Sequence, residues 1–512
     1  MTIRSRDAEI NPAIQPSEKE QISQLLLSCE YGMARMYFQG NMFEKSLEAC
    51  NNALKLKRNF FGILNFRATT LTILGRYKDA VEDYISILEN DTTRAIVPDA
   101  ISGLAKILIA KESIVPGGWS LIVSTVEELL PDATATYNEL VGQKETQKDN
   151  PHYFTLIQQA CGPLRRLHYA LFNYYDRKTE DVDKAFENLS LAAHYATTSS
   201  PGDTDSNLQF QEMQTANIKQ IFSKDFFTGN AAFGHQSRKP VFIIGFYRSG
   251  STLTERVLDA HPDIVGTGED SVFNNYLEHI RNQIVSISTK GGDLGAAIQT
   301  LGDEVVELIE DRWDMVSKTK SDTLSEEKSL KPKRYVDKML SNYRNLGFIH
   351  LLFPKALIIH VIREPMDVVF SSFKHDFSAG ALDHTNEFQS LAHAYRTYRE
   401  LIDHWDEVLP GRIKHVRYED MVHDMPGVAK AIIRSTGLPW DESVLDFHKK
   451  KHAVNTLSST QVRKGVYKSA IKSWKKYETH LQPLVKLVGN RVKSNIKTTL
   501  PGYKKPPNEN NA

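Results

Sequence analysis

The sequence predicts an α/β protein: a parallel β-sheet with helices on both faces, preceded by an all-α region of repeated helical pairs. Two observations carry the prediction. The N-terminal third repeats itself at an offset of 34 residues, and beyond residue 239 short apolar runs alternate with amphipathic segments. Composition agrees. Of 512 residues 41% are hydrophobic and 25% charged, the values of a globular chain long enough for two or three domains. With Gly at 28 and Pro at 20, collagenous and low-complexity chains are excluded.

The polar stretch 1–21 has no apolar core, so it reads as a disordered lead and not as a signal peptide. No run approaches the roughly 18 apolar residues of a membrane span. Cys29, Cys50 and Cys161 are too scattered for a disulfide framework or a zinc site and suit a reducing compartment. A cytoplasmic protein without a membrane partner is therefore expected. The 63 basic and 63 acidic residues cancel, which predicts no nucleic-acid partner. The cancellation hides a basic end: Lys449 to Lys497 holds thirteen Lys/Arg and one acid, Glu478.

Residues 22–197 read as one helical domain. At the 34-residue offset Ala34 falls on Ala68, Phe43 on Tyr77, Ser46 on Ala80, Cys50 on Tyr84 and Ala53 on Ile87. Small residues recur where helices approach, and aromatics recur where they fill the gap. That period and pattern are those of the tetratricopeptide repeat (TPR). A further pair spans Leu167 to Ala196, with Ala170, Ala185 and Ala192 as its small positions. Residues 198–238 read as linker and connecting helix, 239–500 as the α/β domain and 501–512 as a tail.

Within that domain, Val241–Phe246, Ile264–Glu269 and Ala356–Ile362 read as strands. Arg412–Val422 reads as a fourth strand running into a loop. Thr252–Ala260 and Val368–Phe377 read as helices. His360, inside an apolar strand, reads as a satisfied core histidine, and Trp405, Trp440 and Trp474 read as core.

The chemistry concentrates in two places. Gly245–Thr252, GFYRSGST, joins a strand to a helix and has the glycines and final Thr of a phosphate loop, but Ser251 stands where such loops carry Lys. Backbone N–H groups at a helix N-terminus still cradle an anion, and Arg248 supplies positive charge. The second place is His360–Pro365, HVIREP. Where a nucleoside triphosphatase strand ends in a Mg²⁺-holding acid, this one ends in Arg363, which binds phosphate bidentately without metal. Ser371, eight residues on, adds a hydroxyl. Two anion sites and no evident Mg²⁺ carboxylate suit a nucleotide with phosphates at both ends.

RSGST, LDAHPDIVGTGE, VDKML, HVIREPMDVVFSSF and SSTQVRKGVYKSAIKSW, in that order, resemble the sulfotransferases. More narrowly they resemble the protein-tyrosine sulfotransferase branch and the TPR sulfotransferases, over Pro240 to Leu484. The resemblance implies the sulfotransferase fold and 3′-phosphoadenosine 5′-phosphosulfate (PAPS) as co-substrate, with no metal. It assigns Arg248, Ser249, Gly250, Ser251 and Thr252 to the 5′-phosphosulfate, and Arg363 and Ser371 to the 3′-phosphate. Tyr418 falls near the adenine, and Ser458, Gln461 and Lys464 in a late segment over the nucleotide. Lys338 stands at the leaving-group oxygen and Glu269 at the general base, with Arg248 as the third catalytic residue.

The sequence departs from the family in places. Tyr247 and Ser251 replace a Pro and a Thr of the loop, SSTQVRKG loses an acid and a Pro, and His375 replaces a basic residue. The late basic position falls among Lys464, Lys468 and Lys472. An unperturbed phenol titrates at about 10 and a free glutamate at about 4.3, so burial or late proton transfer has to narrow that gap.

The implied acceptor is a hydroxyl, first a protein or peptide tyrosine and second a carbohydrate or small-molecule hydroxyl. The TPR-like region would bind a protein partner. Two other classes stay open here. A P-loop kinase or NTPase is opposed by the missing Lys and by Arg363. A catalytically dead TPR scaffold is opposed by the retained Arg248, Glu269, Lys338, Arg363 and Ser371.

Overall fold

The computed structural model describes residues 16–147, 150–200, 204–229, 234–269, 272–289, 293–322, 332–377, 382–448, 470–489 and 496–506. They fall into two compact units that part at Ala192.

The first unit is helical: α1 (Pro16–Gln39), α2 (Phe43–Leu56), α3 (Phe61–Leu74), α4 (Tyr77–Asn90), α5 (Val97–Ala110), α6 (Gly118–Gly142), α7 (Tyr153–Tyr174) and α8 (Val182–Thr198), the last running past the division. Helix α1 begins inside the stretch expected to be a disordered lead, because Pro16 is pre-organised for a first helical turn. The residues paired by the 34-residue offset make the core: Ala34, Ala68, Cys50, Tyr84, Ala53 and Ile87 are all buried. Ser46 donates to the Ala34 carbonyl at 2.8 Å. Gly103 gives Tyr84 its space, since a Cβ there would stand 2.3 Å from the ring. Between α3 and α4, Arg67 donates twice to Asp83, at 2.6 and 2.8 Å, and once to Asn51. Burial raises the Asp83 pKa, and Arg67 opposes the rise.

The second unit opens with α9 (Thr204–Ile221) and is built on β1 (Pro240–Gly245), β2 (Ile264–Gly268), β3 (Arg334–Asp337), β4 (Leu357–Ile362) and β5 (Ile413–Arg417). All pair parallel, in the order β2-β3-β1-β4-β5. Every residue of β1 is buried, as a strand covered on both faces must be. Helices α10 (Ser251–Asp259), α11 (Val272–Thr289), α12 (Leu294–Asp322), α13 (Pro365–Phe373), α14 (Phe388–Val408), α15 (Tyr418–His423) and α16 (Met425–Thr436) flank the sheet.

Three expectations change. The segment after β5 is a helix and not a loop: α15 starts at once on Tyr418. Helix α13 stops at Phe373, where His375 Nδ1 meets the Ser371 carbonyl at 2.7 Å. Trp405 and Trp474 are core, but Trp440 is half-buried and donates to Glu442. The short strand β3 went unread.

The β5 edge is covered. Thr499 exchanges bonds with His415 (N–H to carbonyl 2.9 Å, hydroxyl from N–H 2.9 Å), and Thr498 accepts from Arg417 N–H at 3.1 Å while donating to Asp420 at 2.6 Å. Among the described residues no helix is long and apolar enough to cross a membrane.

Candidate active site

Strand order locates the site. From β1 the chain goes to β2 at one edge, returns to β3 between β2 and β1, and then passes to β4 and β5 on the other side. The carboxyl end of β1 is therefore a topological switch point, where the flanking connections diverge and leave a crevice. The loop after β1, Lys338 after β3 and Arg363 after β4 all lie at that end.

The loop is held by backbone geometry. Arg248 sits at φ 66° and Gly250 at φ 104°. A non-glycine there carries strain of about 1–3 kcal/mol, a cost kept where a side chain must point in one direction. Gly250 has a second reason to lack a side chain, since its Cβ would stand 2.5 Å from Cδ2 of Tyr418. Ser249, Ser251 and Thr252 are buried at the start of α10.

Arg248 Nε donates to Ser371 Oγ at 3.2 Å, which joins the loop to α13. Arg363, 7% exposed, donates to the Arg248 carbonyl at 3.1 Å and the Ala470 carbonyl at 2.5 Å, and lies 4.8 Å over the Tyr418 ring. Five of the sequence-predicted residues, Arg248, Gly250, Arg363, Ser371 and Tyr418, thus form one connected group. Ser458, Gln461, Lys464 and Lys468 lie outside the described residues.

The second group comes from the other side of β1. Lys338 is fully buried, and its ammonium meets Glu269 Oε1 at 2.7 Å, with the Glu269 side chain 49% exposed. Lys338 N–H also donates to the Gly268 carbonyl at 3.0 Å. Tyr247 links the groups: burial raises its phenol pKa, Tyr343 and Glu269 add to the rise, and Arg344 opposes it. Its ring lies 5.9 Å from that of His384, whose pKa burial lowers to about 4 with the help of Arg344.

Sequence reasoning missed Asp367. This fully buried carboxylate accepts from Lys472 N–H at 2.7 Å, Ser473 Oγ at 3.3 Å and Trp474 N–H at 3.3 Å, and so fixes the chain beside Ala470. An acid in the first helical turn behind Arg363-Glu364-Pro365 was its signal. Glu364 beside it has its pKa raised to about 7, by burial first and then by Glu419 and Asp367.

Among the buried polar atoms that have no hydrogen-bond partner in the described residues are Ser249 Oγ and Arg363 Nε. Unpaired buried polar groups are costly and mark places where a ligand completes the network. Here they sit in the loop and beside it.

Residues 240–442 match the model of the Sulfotransferase family. This stretch is similar to a sulfotransferase domain. An uncharacterized protein of Aquifex aeolicus (strain VF5) is 27% identical over 372 residues, 72% of this chain and 47% of that protein. The chain thus spans about half the length of that relative. A protein of Caenorhabditis briggsae, provisionally named a protein-tyrosine sulfotransferase, is 23% identical over 239 residues, 46% of this chain and 80% of that protein. The sulfotransferase domain of the Synechococcus PCC 7002 olefin synthase overlaps 51% of this chain and 97% of its own at 18% identity and TM-score 0.33. That from the curacin biosynthetic pathway overlaps 49% and 98% at 15% identity and TM-score 0.31. At such scores these overlaps carry no argument, and the fold of the α/β unit rests on its own strand order.

Proposed function

We propose that the sulfotransferase domain moves a sulfuryl group from PAPS to a hydroxyl acceptor, a tyrosine of a protein or peptide, and that the TPR-like helical unit binds a protein partner in the cytoplasm. The observation that carries this reading is the connected set Arg248–Ser371–Arg363 at the switch point, in a P-loop-like turn whose Lys position is Ser251. The unpaired Ser249 Oγ and Arg363 Nε fit an anionic nucleotide. The name of the Caenorhabditis briggsae relative supports tyrosine as the acceptor.

PAPS supplies, when bound, a sulfuryl group on a phosphate leaving group. Ser249 to Thr252 hold its 5′ end at the start of α10, where the helix dipole favours negative charge. Arg363 and Ser371 hold the 3′-phosphate, with Tyr418 under the guanidinium and close to the adenine. Ser458, Gln461 and Lys464 complete the nucleotide contacts. Arg248 and Lys338 face charge that builds during an in-line transfer, where positioning and electrostatics do most of the work. Glu269 takes the acceptor proton. Its 2.7 Å pair with Lys338 holds the base and the leaving-group cation side by side.

The test is thermal stability with 3′-phosphoadenosine 5′-phosphate (PAP), without metal, against ATP with Mg²⁺. A ligand at one hundred times its Kd adds about 2.7 kcal/mol. PAP is expected to stabilise the protein and Arg363→Ala to abolish the gain. Stabilisation by Mg·ATP alone would reject the sulfotransferase reading in favour of a kinase.

A further inference from the structure

The core beneath the loop contains a polar chain that this chemistry does not use. His360 on β4 and His415 on β5 are register partners, buried, with their Nδ1 atoms 2.8 Å apart. His360 Nε2 meets the hydroxyl of Tyr398, and His415 Nε2 lies 3.0 Å from Asp406 Oδ1. Tyr398 and Asp406 both come from α14. At the far end the backbone N–H of Phe246 donates to the Tyr398 oxygen. Phe246 is the first residue beyond the last β1–β4 pair, Gly245 with Val361.

The proton order of this chain follows from its ends. A carboxylate only accepts, so His415 carries its proton on Nε2. Its Nδ1 then accepts, and His360 Nδ1–H donates to it. His360 Nε2 therefore accepts the Tyr398 hydroxyl proton, and the Tyr398 oxygen accepts Phe246 N–H. Burial, His415 and Arg399 lower the His360 pKa, which keeps that ring neutral. Arg399 itself is turned to Asp403 at 3.2 Å. In this order every donor in the chain has one acceptor.

A buried polar chain costs desolvation that plain apolar packing avoids, so its presence under one loop calls for a local reason. Phe246 N–H is where β1 leaves the sheet ladder, two residues before the strained Arg248. We propose that Tyr398, His360, His415 and Asp406 are positioning residues that fix the departure of the phosphate loop from β1, and thereby the affinity of the site for its nucleotide. This rests on the sulfotransferase reading.

The test measures the Kd of PAP on the full chain by calorimetry, with melting temperature recorded alongside. Tyr398→Phe keeps the ring and removes the link to Phe246 N–H, and is expected to weaken PAP about tenfold. Ile432→Val, a buried change in α16, is expected to lower the melting temperature with PAP affinity unchanged, which separates positioning from stability. The chain is also tested from its half-exposed end: Asp406→Leu is expected to weaken PAP several-fold, and Asp406→Asn, which keeps an acceptor, to restore it to within about twofold. Asp406→Leu decides the matter if Tyr398→Phe does not fold. ¹⁵N-histidine spectra are expected to show His360 protonated on Nδ1 and His415 on Nε2. Unchanged PAP affinity in folded Tyr398→Phe or in Asp406→Leu, or the opposite tautomers, would overturn the proposal. PAP failing to bind the unaltered protein would instead reject the sulfotransferase reading.

Discussion

The two units place charge for opposite ends. In the helical unit Arg67 meets Asp83 between α3 and α4, Arg166 meets Asp99 at 2.8 Å, and Arg94 meets Glu128 at 2.5 Å. Each cation finds its carboxylate on another helix or turn of the same unit, and the pair serves packing. In the α/β unit the buried charges Lys338, Arg363 and Asp367 stand at or just beyond the ends of β3 and β4. There Arg363 spends its donors on backbone carbonyls and keeps Nε unpaired among the described residues. Charge that is internally balanced supports a fold. Charge gathered at one end of a sheet with bonding capacity left over awaits a ligand.

That contrast is sharpened most by Lys338→Ala. Transfer from PAPS to a simple phenol is expected to fall by about 10²–10³-fold, the range for removing a buried transition-state donor, with PAP binding far less affected. A kcat within threefold of the parent would erase the distinction between the units. Next is Arg67→Ala, which strands the buried Asp83 carboxylate. The helical unit is expected to lose on the order of 3 kcal/mol in urea unfolding while PAP affinity stays constant. Smallest is Glu364→Gln. The Glu364 carboxyl titrates near 7 when folded, above its unfolded value, so the folded state holds the extra proton. Its contribution is complete below about pH 4.5 and is lost as pH rises through 7. The parent is therefore expected to lose stability across that window, and Glu364→Gln to flatten the slope. An unchanged slope would place the titrating group elsewhere.

Four of the five strands and the phosphate loop were legible because each is a continuous apolar run or carries glycines at fixed spacing. Strand β3, Arg334–Asp337, was not, since two of its four residues are charged and it is a strand only because β1 and β2 pair with it from both sides. The same fact hid the contact between Lys338 and Glu269. They lie 69 positions apart and meet because β3 is inserted beside β2, an order no spacing announces. Arg363 was legible from the missing Mg²⁺ carboxylate, but Asp367 was not, because its partners arrive from residues 472–474. The histidine chain needed α14 laid across β4 and β5 before His360 was more than a core residue.

Thr498 and Thr499 make the chain its own neighbour at β5. An uncovered parallel edge strand offers a row of free N–H and carbonyl groups on which another molecule can add a strand. By bonding His415 and Arg417 from the outside, the two threonines occupy that row with side-chain oxygens as well as backbone. The stretch 496–506 thus works as a selvedge, a finished border that keeps the sheet from being extended. A protein shortened before residue 496 would fold the same sheet and stick to itself along it.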